Sequence, residues 1–178
     1  MKFSNIATPH KIMKIAIFSD SHDNIPNTEK ALDWISREKI NFLIHCGDLA
    51  APAILTDVIA PKFSDQIHFV HGNVGDPELL EKISKNFPNV TVHGEVGQTE
   101  IGGKKIAFTH FPEKAIELAK KGGFDLVFYG HTHKPWEEKI GTARLINPGT
   151  LAGMFYKATF AVYDTETDKL ELKILERI

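Results

Sequence analysis

Asp20 and His22 stand two positions apart, just past Ser19, where the apolar run Ile15-Ala16-Ile17-Phe18 stops. A carboxylate and an imidazole at the end of a buried strand make poor core residues, and the carboxyl ends of strands are where open α/β sheets hold ligands. The same arrangement recurs along the chain. Gly47-Asp48 follows Phe42-Leu43-Ile44-His45-Cys46, and Gly72-Asn73 follows Gln66 to Val70. His110 closes Lys104 to Thr109, and Gly130-His131-Thr132-His133 closes Leu126 to Tyr129. The donors are thus Asp20, His22, Asp48, Asn73, His110, His131 and His133. Mixed imidazole and carboxylate oxygen suits Mn, Fe, Ni, Zn or Co better than Mg or Ca. Seven donors exceed one tetrahedral ion and suit two ions that share a carboxylate. Glycine before the polar residue lets the backbone turn sharply and lets a ligand approach.

Single pieces of this set have ordinary explanations. Gly-Asp and Gly-Asn are common in turns. Two histidines at i and i+2 beyond a buried strand are harder to explain without ligation. The other histidines read as structural. His45 lies inside a strand, as core or as a partner that orients a ligand. His68 alternates with apolar residues, His71 precedes Gly72, and His10 and His93 belong to no cluster. Asp23 and Asn24 could line the pocket or serve helix entry. Phe155-Tyr156 could contact substrate, pack in the core or form a subunit interface.

The elements that must position these residues begin as β-α-β-α-β-α. Strands are predicted over 15–18, 42–46 and 66–70. Helices are predicted over 27–39, capped by Asn27, over 52–60, stopped by Pro61, and over 77–86, capped by Asp76. This rhythm gives a parallel core with right-handed crossovers. A short strand over 90–93 follows, then a hairpin over 98–101 and 104–109 around Gly102-Gly103. Next come a helix over 112–121, a strand over 126–129, and hairpins over 137–140/143–146 and 158–163/169–175. The predicted architecture is a four-layer α/β/β/α sandwich: two facing mixed sheets with outer helices.

The chain has 178 residues, 42% hydrophobic, with a net charge of −2 of mixed sign. This fits one domain and gives no basis for nucleic acid as the main partner. No run is long enough to span a bilayer. One cysteine, Cys46, excludes an internal disulfide, and a cytoplasmic location is expected. Residues 1–12 read as a loosely held extension, with Met13 as the natural start of a single domain over 13–178.

The ordered set D-x-H, G-D, G-N, H, G-H-x-H resembles the calcineurin-like metallophosphoesterases, and more closely their small bacterial and archaeal phosphodiesterase branch. The resemblance runs from Met13 to near the end, and Asn147-Pro148-Gly149-Thr150 is similar to that branch's N-P-G-S element. It implies that Asp20, His22, Asp48 and His133 hold one ion. Asp48 would bridge to a second, completed by Asn73, His110 and His131. It further implies hydrolysis of small phosphodiesters by a metal-bridging hydroxide, with manganese the first expectation and Ni, Fe, Co or Zn as alternatives. Asp48, Asn73 and His131 are the expected catalytic residues, and Asn24, Asn73 and His131 the expected substrate contacts. The chain departs from the wider family at Val74, where a histidine commonly helps protonate the leaving group, and at Phe111, where glycine is expected after His110. A second reading is a scaffold of the same fold that binds protein partners, as the retromer subunit does; a homo-oligomer fits either.

Overall fold

The structure, a computed structural model, describes residues 13–178. The predicted extension over 1–12, with His10, lies outside the described residues.

Six strands form one sheet in the order β11-β10-β1-β2-β3-β4. β1 (Lys14–Phe18), β2 (Phe42–His45), β3 (Gln66–Phe69) and β4 (Val90–Val92) run parallel. β10 (Thr159–Asp164) and β11 (Lys169–Ile174) add antiparallel. The second sheet has the order β5-β6-β7-β9-β8. β6 (Lys104–Thr109), β7 (Leu126–Phe128) and β9 (Ala143–Asn147) are its parallel centre, with β5 (Val96–Ile101) and β8 (Trp136–Ile140) at its edges. Gly102 and Gly103 close the β5/β6 hairpin with φ of 58° and 77°. That geometry requires positive φ at both central residues, hence the glycine pair.

β1 shows why its strand is apolar on both faces. Ile15 and Ile17 join Ile44, Ile106, Phe108, Phe128 and Ile146 between the sheets. Ala16 and Phe18 face the other way, into a cluster with Leu32, Ile35, Leu55 and Leu80 from the helical side. A third cluster packs Ala115, Leu118 and Ala119 of α4 (Pro112–Lys121) on Ala107, Val127 and Leu145. The layers are helix, sheet, sheet, helix, as the pattern predicts.

The helices depart from prediction at their ends. α1 spans Ile25–Arg37, two residues early at both ends. Its cap is Asn24, whose side chain accepts from the Asn27 amide at 3.1 Å, so Asn27 is the receiver and not the cap. Lys39, at φ 56°, has already left the helix. Pro61 does not stop the next helix. Leu55–Ile59 forms a π-helical turn that runs into α2 (Ala60–Lys62), where Pro61 sits in the first turn and needs no amide partner. α3 (Pro77–Ser84) starts as predicted, with Asp76 accepting from the Leu79 amide at 2.9 Å. Beyond β11 the chain tightens into a 3₁₀ turn at Leu175–Arg177, not a longer strand.

Removing Phe160, fully buried and edge-on to both Phe18 and Trp34, should cost about 3–5 kcal/mol as Phe160→Ala. Removing the exposed Asp76 cap as Asp76→Ala should cost only about 1 kcal/mol. Urea unfolding followed by circular dichroism measures both, and equal losses would contradict this division between core and cap.

Candidate metal centre

The loops beyond β1 and β2 stay zipped after the strands end. Cys46 donates its amide to Phe18 O at 2.8 Å, Asp20 to Gly47 O at 3.1 Å, and His22 to Asp48 O at 3.1 Å. Asp20-Ser21-His22 and Gly47-Asp48 are therefore held in register. In the second sheet Gly130 donates to His110 O at 3.1 Å, which ties the His110 loop to the Gly130-His131-Thr132-His133 loop. Asp20, His22, Asp48, His131 and His133 all adopt positive φ, between 40° and 68°. Such backbone costs free energy at non-glycine residues and persists only where its surroundings enforce it.

All seven predicted donors meet. His133 Nε2 lies 3.1 Å from Asp20 Oδ1 and 3.3 Å from His22 Nε2. Asp48 Oδ2 is 3.5 Å from His22 Nε2 and 3.4 Å from His110 Nε2, between two groups of donors. On its far side Asn73 Oδ1 is 3.0 Å from His110 Nε2 and 2.8 Å from His131 Nδ1. Donor atoms about 2.1 Å from a shared ion and 90–110° apart lie about 3.0–3.4 Å from each other. The observed spacings cluster around this range.

Proton placement sharpens the fit. His110 Nδ1 donates to Cys46 O at 2.8 Å, so in the neutral ring Nε2 carries a lone pair. That lone pair faces Asp48 Oδ2 and Asn73 Oδ1, which are acceptors too. Only a positive charge among them, proton or cation, makes the contact favourable. Burial pulls His110 down, but Asp48 and Asp20 outweigh it and hold its pKa above the ordinary value. Burial raises the Asp20 carboxyl. Burial also works on Asp48, but His110, the Val74 amide and His22 reverse it and hold that carboxyl below its ordinary value. Two neighbouring carboxylates are thus driven apart in acidity.

Residues outside the donor set fix these donors. Ser19 Oγ donates to Asp20 Oδ2 at 2.5 Å, and the His131 amide donates to the same oxygen at 3.1 Å. Val74 contributes its backbone: its amide donates to Asp48 Oδ1 at 2.8 Å. Asn147 donates to Gly130 O and Thr132 Oγ1, bracing the histidine loop. Thr150 Oγ1 donates to Asp20 O at 3.0 Å. The Asn147-Pro148-Gly149-Thr150 motif was the available signal for the last two. Gly130 is required by close approach: a Cβ there would lie 2.0 Å from Ser19 Oγ and 2.8 Å from Asp20 Oδ2. At Gly72 it would lie 2.0 Å from Asp48 Oδ1.

Asn24, an expected substrate contact, has its side chain engaged at the start of α1. Its amide caps α1 through Oδ1 and donates to Ala152 O at 3.0 Å. Asp23 is likewise occupied by the Ala51 amide, at 2.6 Å. Asn73 and His131 are exposed, while Asp20, Asp48, His110 and His133 are buried, so the open side of the cluster is theirs. His45 bonds Ser21 Oγ through Nε2 at 3.1 Å, and its Nδ1 has no partner among the described residues. An unpaired lone pair costs less than an unpaired N–H, so the ring proton sits on Nε2 and is donated to Ser21. His71 pairs with Glu81 at 2.9 Å beside Asn73. His68 and His93 pair with each other at 3.0 Å, away from the centre. Phe111 packs edge-on against His110 and tilted against His131, as a wall to both imidazoles. Beside Asp48 and Asn73 opens a cavity of about 120 Å³, lined by Leu49, Pro52, Val74 and Leu80. No described helix is long and apolar enough to cross a membrane.

The model of the calcineurin-like phosphoesterase superfamily domain matches residues 13–168. Phosphodiesterase MJ0936 of Methanocaldococcus jannaschii is 31% identical over 168 residues, which cover 92% of this chain and 100% of that protein. A solved structure presented as a novel archaeal phosphodiesterase superposes with a TM-score of 0.83 at 29% identity, covering 91% of this chain and 99% of the other. Zinc-bound Vps29 of Entamoeba histolytica shares the fold, with a TM-score of 0.63 at 18% identity over 90% of this chain and 97% of its own.

Burial lowers the pKa of His45 to about 3 and, with help from His93, that of His68 to about 4. Both fold neutral, and when unfolded both take up a proton below about 6.5. Their contribution to stability is therefore complete above that pH and lost as pH falls toward 4 and then 3. In chelator-treated protein, His68→Phe should flatten the fall in unfolding free energy between pH 6 and 4 by up to roughly 1.4 kcal/mol per pH unit. Urea titrations across that range measure it, and an unchanged slope would remove His68 as a source.

Proposed function

The chain belongs to the calcineurin-like phosphoesterase superfamily, and on that premise we propose a dinuclear-metal phosphodiesterase that hydrolyses small phosphodiesters. The observation that carries this reading is the convergence of seven donor side chains in two groups about Asp48 Oδ2. We assign Asp20, His22, Asp48 and His133 to one ion, and Asp48, Asn73, His110 and His131 to the other. Manganese is the first choice, and the mixed nitrogen and oxygen set also accepts Ni, Fe, Co or Zn. When bound, two such cations would neutralise charge on the phosphoryl group and lower the pKa of a water until it can attack phosphorus.

The residues divide the remaining work. Asp48 is shared, and the Val74 amide fixes its orientation through Oδ1. Asn73 is neutral and adds no anion on the open side where a phosphate must approach. His131 stands on that same side, and its backbone is anchored on Asp20. These positions support Asp48, Asn73 and His131 as the catalytic set. The cavity of about 120 Å³ beside Asp48 and Asn73 is of a size to take one small ester arm. We read residues 13–178 as one domain and place it in the cytoplasm, in keeping with the single buried Cys46.

The Vps29 likeness raises the alternative of a protein-binding scaffold. Vps29 itself binds zinc and shares only 18% identity, whereas the relatives at 29–31% identity are named phosphodiesterases, so catalysis is the better reading. With bis(4-nitrophenyl) phosphate, Asp48→Asn and His131→Ala should each lower kcat/KM about a hundredfold or more. Chelation should abolish turnover and manganese restore it. Activity indifferent to all three would belong to a contaminant.

Val74 lacks a proton to give, and its amide is committed to Asp48. Leaving groups should therefore depart as anions, with rates falling as the leaving group's pKa rises. A series of substituted aryl and alkyl methyl phosphates measures this, and a flat series would show that a proton donor is present.

A further inference from the structure

The segment that follows Asn147-Pro148-Gly149-Thr150 is pinned at its base and free at its tip. Leu151 and Ala152 donate their amides to Ser19 O and Asp20 O, at 2.9 and 3.0 Å. Asn24 and Asn27 donate back to Ala152 O and Leu151 O, each at 3.0 Å. The Thr159 amide returns to Thr150 O at 2.9 Å and closes the loop. The base is thus bound to the very loop that carries Asp20 and His22. The tip is Met154-Phe155-Tyr156, with exposures of 41%, 87% and 47%. This excludes core packing for Phe155 and Tyr156.

Phe155 is the odd member. Its backbone has φ 64°, unfavourable for a bulky aromatic residue. Its ring lies 5.6 Å from the His133 ring, tilted by 38°. A phenyl group exposed to this degree adds almost nothing to folding, and its conformation costs stability. Both features make sense if something planar covers the ring during function. Phe111, the other aromatic at the centre, packs edge-on against His110 and so offers no comparable open face. Two ester arms diverge from a phosphodiester. The 120 Å³ cavity flanks the Asp48 and Asn73 side, while Phe155 flanks the His133 side.

We propose that Phe155 is a stacking platform for a planar ring on one ester arm, so that the enzyme prefers phosphodiesters bearing an aromatic or heteroaromatic group. This rests on the phosphodiesterase reading above. The ring offers dispersion and quadrupole attraction without hydrogen-bond readout, so it selects for planarity and not for one base or substituent. The rigid base of the loop holds the platform at a fixed distance from the metal donors.

The test uses non-hydrolysable probes on the full chain loaded with manganese. Calorimetry should show phenylphosphonate binding about three- to tenfold tighter than methylphosphonate. Phe155→Ala should bring that ratio close to one, and Phe155→Trp should keep it. A ratio that survives Phe155→Ala overturns the proposal. So does a wild-type dimer that becomes monomeric in Phe155→Ala with the ratio unchanged, which would assign the ring to contact with a second copy. A wild-type chain that binds both phosphonates but turns over no diester sinks the phosphodiesterase reading and leaves the stacking result to stand on its own.

Discussion

Lone pairs aimed at a common centre repel one another, and this chain gathers seven donor side chains into two adjoining groups about Asp48. Asp48 Oδ2, His110 Nε2 and Asn73 Oδ1 approach within 3.0–3.4 Å with too few protons to mediate them. Such a cluster is stable without a cation only if some ligands hold protons that a cation would displace. The opposed behaviour of Asp20 and Asp48 expresses this, one carboxyl raised by burial and the other lowered by its imidazole neighbours. Everything else in the fold keeps the mutually repelling groups from relaxing apart.

Two facing sheets achieve that by stiffness at the strand ends. Parallel neighbours deliver their carboxyl termini to one edge, so β1, β2, β3, β6 and β7 all release their loops into the same crevice. Backbone hydrogen bonds then continue past the strands, from Phe18 through Asp20 to His22. The positive φ values at five donors are affordable because the loops are clamped on both sides. Gly72 and Gly130 allow the clamping, since a methyl group at either position would displace a carboxylate or the hydroxyl that holds one.

The donors were legible in the sequence because their types conflict with their setting. A histidine, aspartate or asparagine within a few residues of the end of an apolar run has no place in a core, and five such conflicts in order form a pattern. The sheets were legible from apolar runs, and the β5/β6 turn from Gly102-Gly103. What escaped were contacts between segments far apart in the chain. Thr150 reaches Asp20 across 130 positions, and the His131 amide reaches it across 111. Ser19 carries no local signature of its task, and the Asn147-Pro148-Gly149-Thr150 motif marks Asn147 and Thr150 without showing which groups they reach. Asn24 is a related case: its type suits a pocket as well as a cap, and its bonds to the Asn27 amide and Ala152 O could not be read from sequence. The π turn at Leu55–Ile59 escaped because proline reads as a stop unless a new helix begins just before it.

Val74 shows how one position can change the chemistry without disturbing the framework. Its amide does what any residue there would do, orienting Asp48 through Oδ1. Its side chain does something else, replacing a proton donor with an apolar wall beside Leu49 and Leu80. A site built this way, once loaded with metal, would activate a nucleophile while Val74 gives the departing alcohol no proton. Arms that stabilise negative charge through an attached ring are then favoured twice, by electronics at the bond that breaks and by any surface that holds the ring. On the proposed reading, substrate choice would be set at two side chains outside the donor cluster, Val74 and Phe155, while the donors would confer the reaction class.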